Sequence, residues 1–225
     1  MSAVRNIVGS VPTALLLAGG ALGAVMFVAV FTVLGVPRSG YDEVRHFISI
    51  LSLGDGGWAQ IVNFLVGGAL IVGLGIGLAR RWQAGPGSRW VPGMVTLAGI
   101  GLAWCGVFIP DPSLGYPPGT PDVLITPLTW HGALHYLGAT SILLTLTGAV
   151  LLTIRRGLVL GERLLAAVSI GTAIFAVGGC GLVILLGGPD PIQLVGLLER
   201  IGVFAGWAWL ALVATLELRT PRQLR

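Results

Sequence analysis

Six long runs of apolar residues limit what this chain can fold into. Five of the runs contain no Asp, Glu, Lys or Arg, and the sixth contains only Glu199 and Arg200 near its start. Each run has about 20 residues or more, the length at which an α-helix crosses a bilayer core of about 30 Å. We therefore predict transmembrane helices over residues 13–36, 58–79, 90–109, 129–153, 164–186 and 195–216.

The composition is that of a membrane protein. The 225 residues are 55% hydrophobic and 10% charged, and the mean hydropathy is +0.92. These values lie outside the range of an ordinary soluble domain, and no segment between the runs is long enough to form one. We predict a single membrane domain over residues 1–225, an all-α bundle of six transmembrane helices with two long outer loops, 37–57 and 110–128.

The placement of the arginines predicts the orientation in the membrane. The chain has thirteen arginines and no lysine, and ten of them fall on one side of the predicted spans. Because short cytoplasmic segments are enriched in basic residues, both termini should be cytoplasmic. Loop arginines also account for the net charge of +4, so the expected partner is the lipid bilayer and not nucleic acid. The ten are Arg5, Arg80, Arg81, Arg89, Arg155, Arg156, Arg163, Arg219, Arg222 and Arg225.

Polar residues collect at one depth, near the outer headgroup boundary. Counting back about 20 residues from the arginines that end three of the spans reaches Gln60, His135 and Glu199, and Asp111 follows the third span. Gln60 and Asn63 lie on one helix face, which should point into the bundle. We predict an outward-facing polar pocket whose ligand-binding candidates are Arg45, His46, Gln60, Asn63, Asp111, Tyr116, His131, His135, Glu199 and Arg200.

The motif WHGALHY, Trp130–Tyr136, opens the fourth span with two histidines four residues apart. Such a pair lies on one helix face and is a common metal-binding spacing. Together with Asp111 and Glu199 it would form a site for a divalent metal such as zinc. Without an HExxH pattern the motif is weak, and interfacial histidines bonded to loop carbonyls or acids are the alternative. Either way, both rings should face the bundle interior, with at least one near Asp111, Glu199 or the loop of Arg45 and His46.

Three further contacts follow from residue chemistry. Arg45 lies at a dry boundary and needs an acid, which we expect to be Asp111 or Glu199. Asp55 should cap the second span, because short polar side chains accept from the first helical amides. Thr126 is followed by a proline, a pairing typical of a helix start, so the fourth helix should begin there.

Four stretches of the sequence resemble a known family. The resemblance extends over nearly the whole chain and is to an uncharacterised bacterial six-helix membrane family, domain of unknown function nine-nine-eight. It implies the same six-helix fold in a bacterial plasma membrane, and no established activity. Members commonly carry proline at the position of Phe47 and an acid at that of Tyr136. The four stretches are RHFISILSLG (Arg45–Gly54), WAQIVNF (Trp58–Phe64), DPSLGYPPGTP (Asp111–Pro121) and HGALH (His131–His135).

The sequence leaves three classes of function open for an integral membrane protein of unknown activity. The first is binding or sensing of a lipid headgroup or small anion, held by Arg45, Arg200 and the histidines. The second is a metal-assisted membrane hydrolase acting on lipid, in which a metal ion activates water. The third is a small-solute transporter, which would need polar residues deep on several spans; only Gln60 and Asn63 extend inward, so this class ranks last. Whether the protein is an enzyme, and its oligomeric state, do not follow from the sequence.

Overall fold

Helices form the regular structure of the described part of the chain. The computed structural model describes residues 11–186 and 193–220, which contain six α-helices and a short 3-10 helix, Ile48–Ser52. The predicted all-α bundle is confirmed. The α-helices are α1 (Thr13–Gly35), α2 (Gly57–Arg81), α3 (Val91–Val107), α4 (Trp130–Leu160), α5 (Arg163–Leu186) and α6 (Val195–Arg219).

The helices have the length and surface of membrane-spanning segments. Four of them, α1, α2, α4 and α6, are long and apolar enough to cross a bilayer, and the described side chains of α3 and α5 add two shorter apolar stretches. Leu22, Val33 and Leu144 are each more than half exposed on the outward faces. A bundle with this much exposed apolar surface is suited to lipid and not to water. The protein is therefore a polytopic helical membrane protein.

The six helices form a ring. Each helix packs against the next one in the sequence, and α1 also packs against α6. Helices α2 and α3 approach each other closely, since a β-carbon at Gly68 would lie 2.7 Å from the Gly99 carbonyl oxygen. Small residues permit such approaches between helices in lipid. The ring encloses a core that includes Phe27, Leu74 and Leu102.

The two ends of the bundle differ in chemistry. At the loop end, the connections 36–56 and 108–129 pack together around Ile50, Leu53 and Tyr116. At the arginine end, the Arg80 guanidinium donates to the Val11 carbonyl at 2.7 Å. Arg5, Arg222, Arg225 and the predicted turn at 187–192 lie outside the described residues.

Two predicted helix starts are wrong. The N-cap of α2 is Gly56 and not Asp55; Gly56 has φ 75°, a left-handed conformation that glycine adopts without strain. Helix α4 begins after Thr129 and not at Thr126, and the Thr129 hydroxyl accepts from the Gly132 amide at 3.1 Å. The Asp111 carboxylate selects this start, because it accepts from the Thr129 amide and hydroxyl.

Helix α4 also extends beyond the predicted end at residue 153. It continues to Leu160 and stops before Gly161, which has φ 72° and ends the helix in the left-handed conformation. Arg155 and Arg156 are therefore helical. The predicted span, which ended at residue 153, had placed them in the following connection. The Arg156 side chain is buried and donates to the Ala84 carbonyl at 2.9 Å.

Candidate functional site

A cavity lies inside the ring of helices and reaches the loop end. Its volume is about 240 Å³. All six helices contribute to the wall, and so do the 3-10 helix and residues 110 and 113 of the second loop. Phe27, Phe64, Leu102, His135, Thr172 and Glu199 are examples, one from each helix in order.

The cavity is long, and its polarity changes along its length. On α4 its lining residues extend from His135 to Val150, about 22 Å at the rise of an α-helix. His135 and Glu199 line it near the loop end. Towards the arginine end the wall is formed by apolar side chains such as Leu146, Val150 and Trp207. The cavity is thus amphipathic: His135 and Glu199 lie at one end, and the rest of the described wall is mostly apolar, with the hydroxyls of Thr140, Thr147 and Thr172 along it.

The cavity reaches the protein surface beside α4. Tyr136 lines it and is nevertheless 40% exposed, and Thr140, one turn further along the same face, is also exposed. Both side chains lie on a helix whose outward face would contact lipid. The opening is therefore on the side of the bundle and below the loops.

His135 is held in one orientation by the end of α3. The ring is buried, and its Nδ1 lies 2.7 Å from the Phe108 carbonyl oxygen. Because a carbonyl can only accept, Nδ1 carries a proton, and in the neutral ring Nε2 is then an acceptor. The Cys105 thiol donates to the His135 carbonyl at 3.7 Å, and the Trp104 indole donates to the Leu134 carbonyl at 2.8 Å. These bonds hold the start of α4 against the end of α3.

Glu199 joins α6 to the first loop. Its Oε2 accepts the backbone N–H of Ile48, the first residue of the 3-10 helix, at 2.7 Å. An acid at the N-terminus of a helix satisfies an amide that has no partner within the helix. Glu199 is the acidic side chain among the cavity-lining residues, and no arginine lines the cavity in the described part of the chain.

The arginines predicted for ligand binding contact other parts of the protein. Arg45 pairs with Asp122, so the predicted pairing with Asp111 or Glu199 is wrong. Both partners are on loops at the surface, and the bond from Arg45 lowers the pKa of Asp122. Arg200 donates to the His46 carbonyl at 2.9 Å and to the Tyr41 hydroxyl at 2.5 Å.

His46 connects the two long loops. Its Nδ1 accepts the Asp42 amide at 2.8 Å, so Nε2 carries the proton and donates to the Leu114 carbonyl at 2.8 Å. The ring lies beside those of Tyr41 and Tyr116. Burial raises the pKa of Tyr41, against the opposing effect of the nearby guanidinium. Both ring nitrogens of His46 are thus used in holding the loops together.

Asp111 and His131 lie at the start of α4 and not in the cavity. Asp111 accepts from the Thr129 amide at 2.8 Å and from its hydroxyl at 2.5 Å. A β-carbon at Gly132 would collide with this carboxylate, which explains the glycine in the motif. His131 is exposed, and its ring lies against Trp130. The prediction that both histidine rings face the interior is wrong for His131, whose ring lies between those of Trp130 and Phe108 on the exposed first turn of α4.

Gln60 and Asn63 point into the bundle, as predicted, but they do not line the cavity. The Asn63 amide donates to the Phe27 carbonyl at 3.0 Å and to the Gln60 side-chain oxygen at 3.2 Å. These bonds connect α2 to α1 and are of the kind expected between helices in a membrane.

Comparison with protein families identifies the chain. The model of a family described as protein of unknown function (DUF998) matches residues 21–216. The chain belongs to this family. No curated protein and no solved structure shows a significant match to it.

The arginine end of this DUF998 protein contains a buried polar cluster that the sequence analysis missed. Glu217 accepts from the Trp82 indole at 2.7 Å and lies 3.4 Å from Arg81 Nε. The Arg156 guanidinium stacks on the Trp82 ring at 4.3 Å. In the sequence, Arg81 and Glu217 each follow the end of a predicted span on the same side of the membrane, and this placement could have indicated the pair. The contacts join α2, α4 and α6 at the end opposite the cavity.

Metal binding by this DUF998 protein stays a prediction. Within residues 11–186 and 193–220, no three His, Cys, Asp or Glu side chains lie close enough together to hold a metal ion. Of the four candidates His131, His135, Asp111 and Glu199, the cavity brings together only His135 and Glu199. The hydrolase and transporter alternatives likewise stay predictions.

Proposed function

We propose that this protein binds one lipid-like amphiphile in its cavity, with the polar head at the loop end and the tail directed towards Trp207. The observation that carries the proposal is the change of polarity along a cavity about 22 Å long. Binding pockets are mostly apolar with a few polar groups that orient the ligand. This arrangement matches a molecule that is polar at one end only.

The indole of one cavity-lining residue differs from three others of the described chain in its hydrogen bonding. The indole Nε1 of Trp207 is buried and has no hydrogen-bond partner among the described residues. The indoles of Trp82, Trp104 and Trp209 each donate to a protein acceptor, at 2.7, 2.8 and 3.0 Å. A buried donor without an acceptor costs about 1–3 kcal/mol.

The position of the opening supports a ligand that comes from the membrane. Tyr136 and Thr140 are exposed on the side of α4 that a bilayer would cover. A small water-soluble anion would approach through the loops, where Arg45 and Arg200 already bind acceptors of the protein. These contacts favour a lipid over a free anion.

We further propose that the loop end faces the outside of a bacterial plasma membrane. The arginine end carries Arg80, Arg81 and Arg155, in keeping with a cytoplasmic face. Cysteines introduced at the exposed positions Ser39 and Gln83 test this, because they lie at opposite ends. A membrane-impermeant maleimide should label Ser39→Cys in intact cells and Gln83→Cys only after lysis. The reverse pattern would overturn the orientation.

Filling the cavity tests the binding proposal. Gly206 lines the cavity, and a β-carbon there would meet nothing closer than Leu146 Cδ1 at 3.9 Å, so Gly206→Leu should fold and occupy the space. Gly93→Leu is the matched control, since Gly93 is an exposed helical glycine with open space around it. Native mass spectrometry of protein released from nanodiscs should show one retained amphiphile for the wild type and the control, and none for Gly206→Leu. Equal retention by Gly206→Leu, or none by the wild type, would refute the proposal.

A further inference from the structure

The polar groups of the cavity are complementary to a head group that donates hydrogen bonds. His135 Nδ1 carries the proton that bonds to Phe108, so the nitrogen left for a ligand is the acceptor Nε2 of the neutral ring. Glu199 is a carboxylate, which in its ionised form only accepts. The described wall also includes the Cys105 thiol and the Tyr136 hydroxyl, and His135 and Glu199 are the two side chains on it that present a ring nitrogen or a carboxylate as acceptor.

Positive charge is directed away from the cavity. Arg200 is the neighbour of Glu199, but adjacent residues project about 100° apart on a helix. Its guanidinium donates to the His46 and Gly196 carbonyls and to the Tyr41 hydroxyl. Arg45 bonds to Asp122 on the surface. No arginine lines the cavity within residues 11–186 and 193–220, so no guanidinium of the described wall would bind an anionic head, which would lie beside the Glu199 carboxylate.

We propose that the ligand is an amphiphile with a protonated amine head, bound by Glu199 and His135. The inference rests on the proposed function, since it assigns the head-group class of the same ligand. An ammonium group supplies three donors and one positive charge. The hydroxyls of Ser49 and Ser113, which also line the cavity, accept as readily as they donate. The amine would thus have acceptors from Glu199, His135 and the two serine hydroxyls of the described wall.

The test compares two probes with the same tail. A single-chain alkylamine and an alkyl sulfate of equal length, each with a nitroxide near the end of the tail, are added at equal mole fraction to the full chain in phosphatidylcholine nanodiscs. The nitroxide quenches a nearby indole, and Trp207 lies on the apolar part of the wall. The difference between the wild type and Trp207→Phe isolates the quenching of Trp207 from that of the exposed tryptophans.

The expected result is a preference of about ten-fold or more for the amine over the sulfate, the factor that a charge-assisted hydrogen bond supplies. Glu199→Gln should abolish the preference and still fold, because the amide oxygen can accept from Ile48. Glu43→Gln is the matched control: it removes the same charge at the same end, and Glu43 does not line the cavity. Its preference should equal that of the wild type.

Each other outcome is decisive. Equal binding of both probes, or tighter binding of the sulfate, would overturn the head-group assignment and leave the proposed function standing. An equal loss of preference in Glu43→Gln and Glu199→Gln would overturn it too, since a general surface potential would then be the cause. If neither probe quenches Trp207, the proposed function itself fails.

Discussion

The start of α4 depends on a relay from Asp111 through Thr129 to Gly132, and removing its first member should be costly. Asp111 accepts two hydrogen bonds from Thr129, and Thr129 in turn accepts from the Gly132 amide. Hydrogen bonds to a charged group contribute about 1.5–3 kcal/mol each. A carboxylate at a helix N-terminus adds about 0.3–1 kcal/mol. Because Asp111 is only 8% exposed, water can replace little of this stabilisation when the carboxylate is removed.

We therefore expect Asp111→Ala to lower the free energy of unfolding by about 3–5 kcal/mol. Asp111→Asn keeps one acceptor and should lose about half as much. Thr129→Ala removes the cap and one of the shared bonds, at about 2–3 kcal/mol. Asp55→Ala is the matched control, an exposed loop acid that caps nothing, and should change stability by less than about 0.5 kcal/mol. Equilibrium unfolding in mixed micelles with sodium dodecyl sulfate gives the values.

The double mutant separates the relay from two independent effects. If the two residues act through their shared bonds, Asp111→Ala/Thr129→Ala should cost less than the sum of the single changes by about 1–2 kcal/mol. A coupling energy of zero, or an Asp111→Ala variant within about 0.5 kcal/mol of the wild type, would refute the reasoning. Faster hydrogen exchange at the Gly132 amide in both single variants is the local signature of a lost cap.

Two further predictions concern charged pairs at opposite ends of the bundle. Glu217→Ala should destabilise the protein by about 3–5 kcal/mol in the same unfolding assay, because it removes the buried carboxylate beside Arg81 and the acceptor of the Trp82 indole. Arg81 keeps its bonds to the Glu217 and Thr220 carbonyls. Glu217→Gln keeps an acceptor for the indole and should cost less, and equal losses would contradict this account. Arg45→Ala should lower the thermal midpoint only slightly at pH 7, since its partner Asp122 is exposed. The pKa of Asp122 is lowered in the folded state, so the ion pair stabilises the fold at pH values above the ordinary pKa of 3.8. The difference in thermal midpoint between Arg45→Ala and the wild type should therefore disappear as the pH falls below that value. A difference that grows on acidification would contradict this expectation.

The fold could be predicted because span length and charge placement are properties of the sequence alone. Counting back about 20 residues from an arginine brings Gln60, His135 and Glu199 to the loop end, since all helices rise by the same distance per residue. The depth of a residue therefore followed from the sequence. Its partner did not, because neighbouring residues point about 100° apart and the direction decides what each one touches.

Most of the contacts that the sequence predicted wrongly involve the two long loops. Arg45 and Asp122 lie on different loops, and no hydropathy pattern determines how two irregular segments meet. Depth made Asp111 and Glu199 the expected partners of Arg45, while in the structure Asp111 bonds to Thr129 at the start of α4. His131 shows the same limit on a helix. Its ring lies on the exposed first turn of α4, and helix ends are the least regular part of a pattern.

The polar layer at the loop end divides into two sets, and the division bears on function more than the layer as a whole. His46, Asp111 and Arg200 bond to backbone groups of the loops and helix ends, so their hydrogen-bonding capacity serves to build the cover over the bundle. His135 and Glu199 also bond to backbone groups, at Phe108 and Ile48, and both line the cavity. A buried polar atom is costly unless it has a hydrogen-bond partner. Because the loop residues already bond to one another, they do not need a ligand to satisfy their polar atoms. The chemistry required of an occupant is therefore set by the polar side chains of the described cavity wall: His135 and Glu199 at the loop end, and threonine hydroxyls such as that of Thr147 further along.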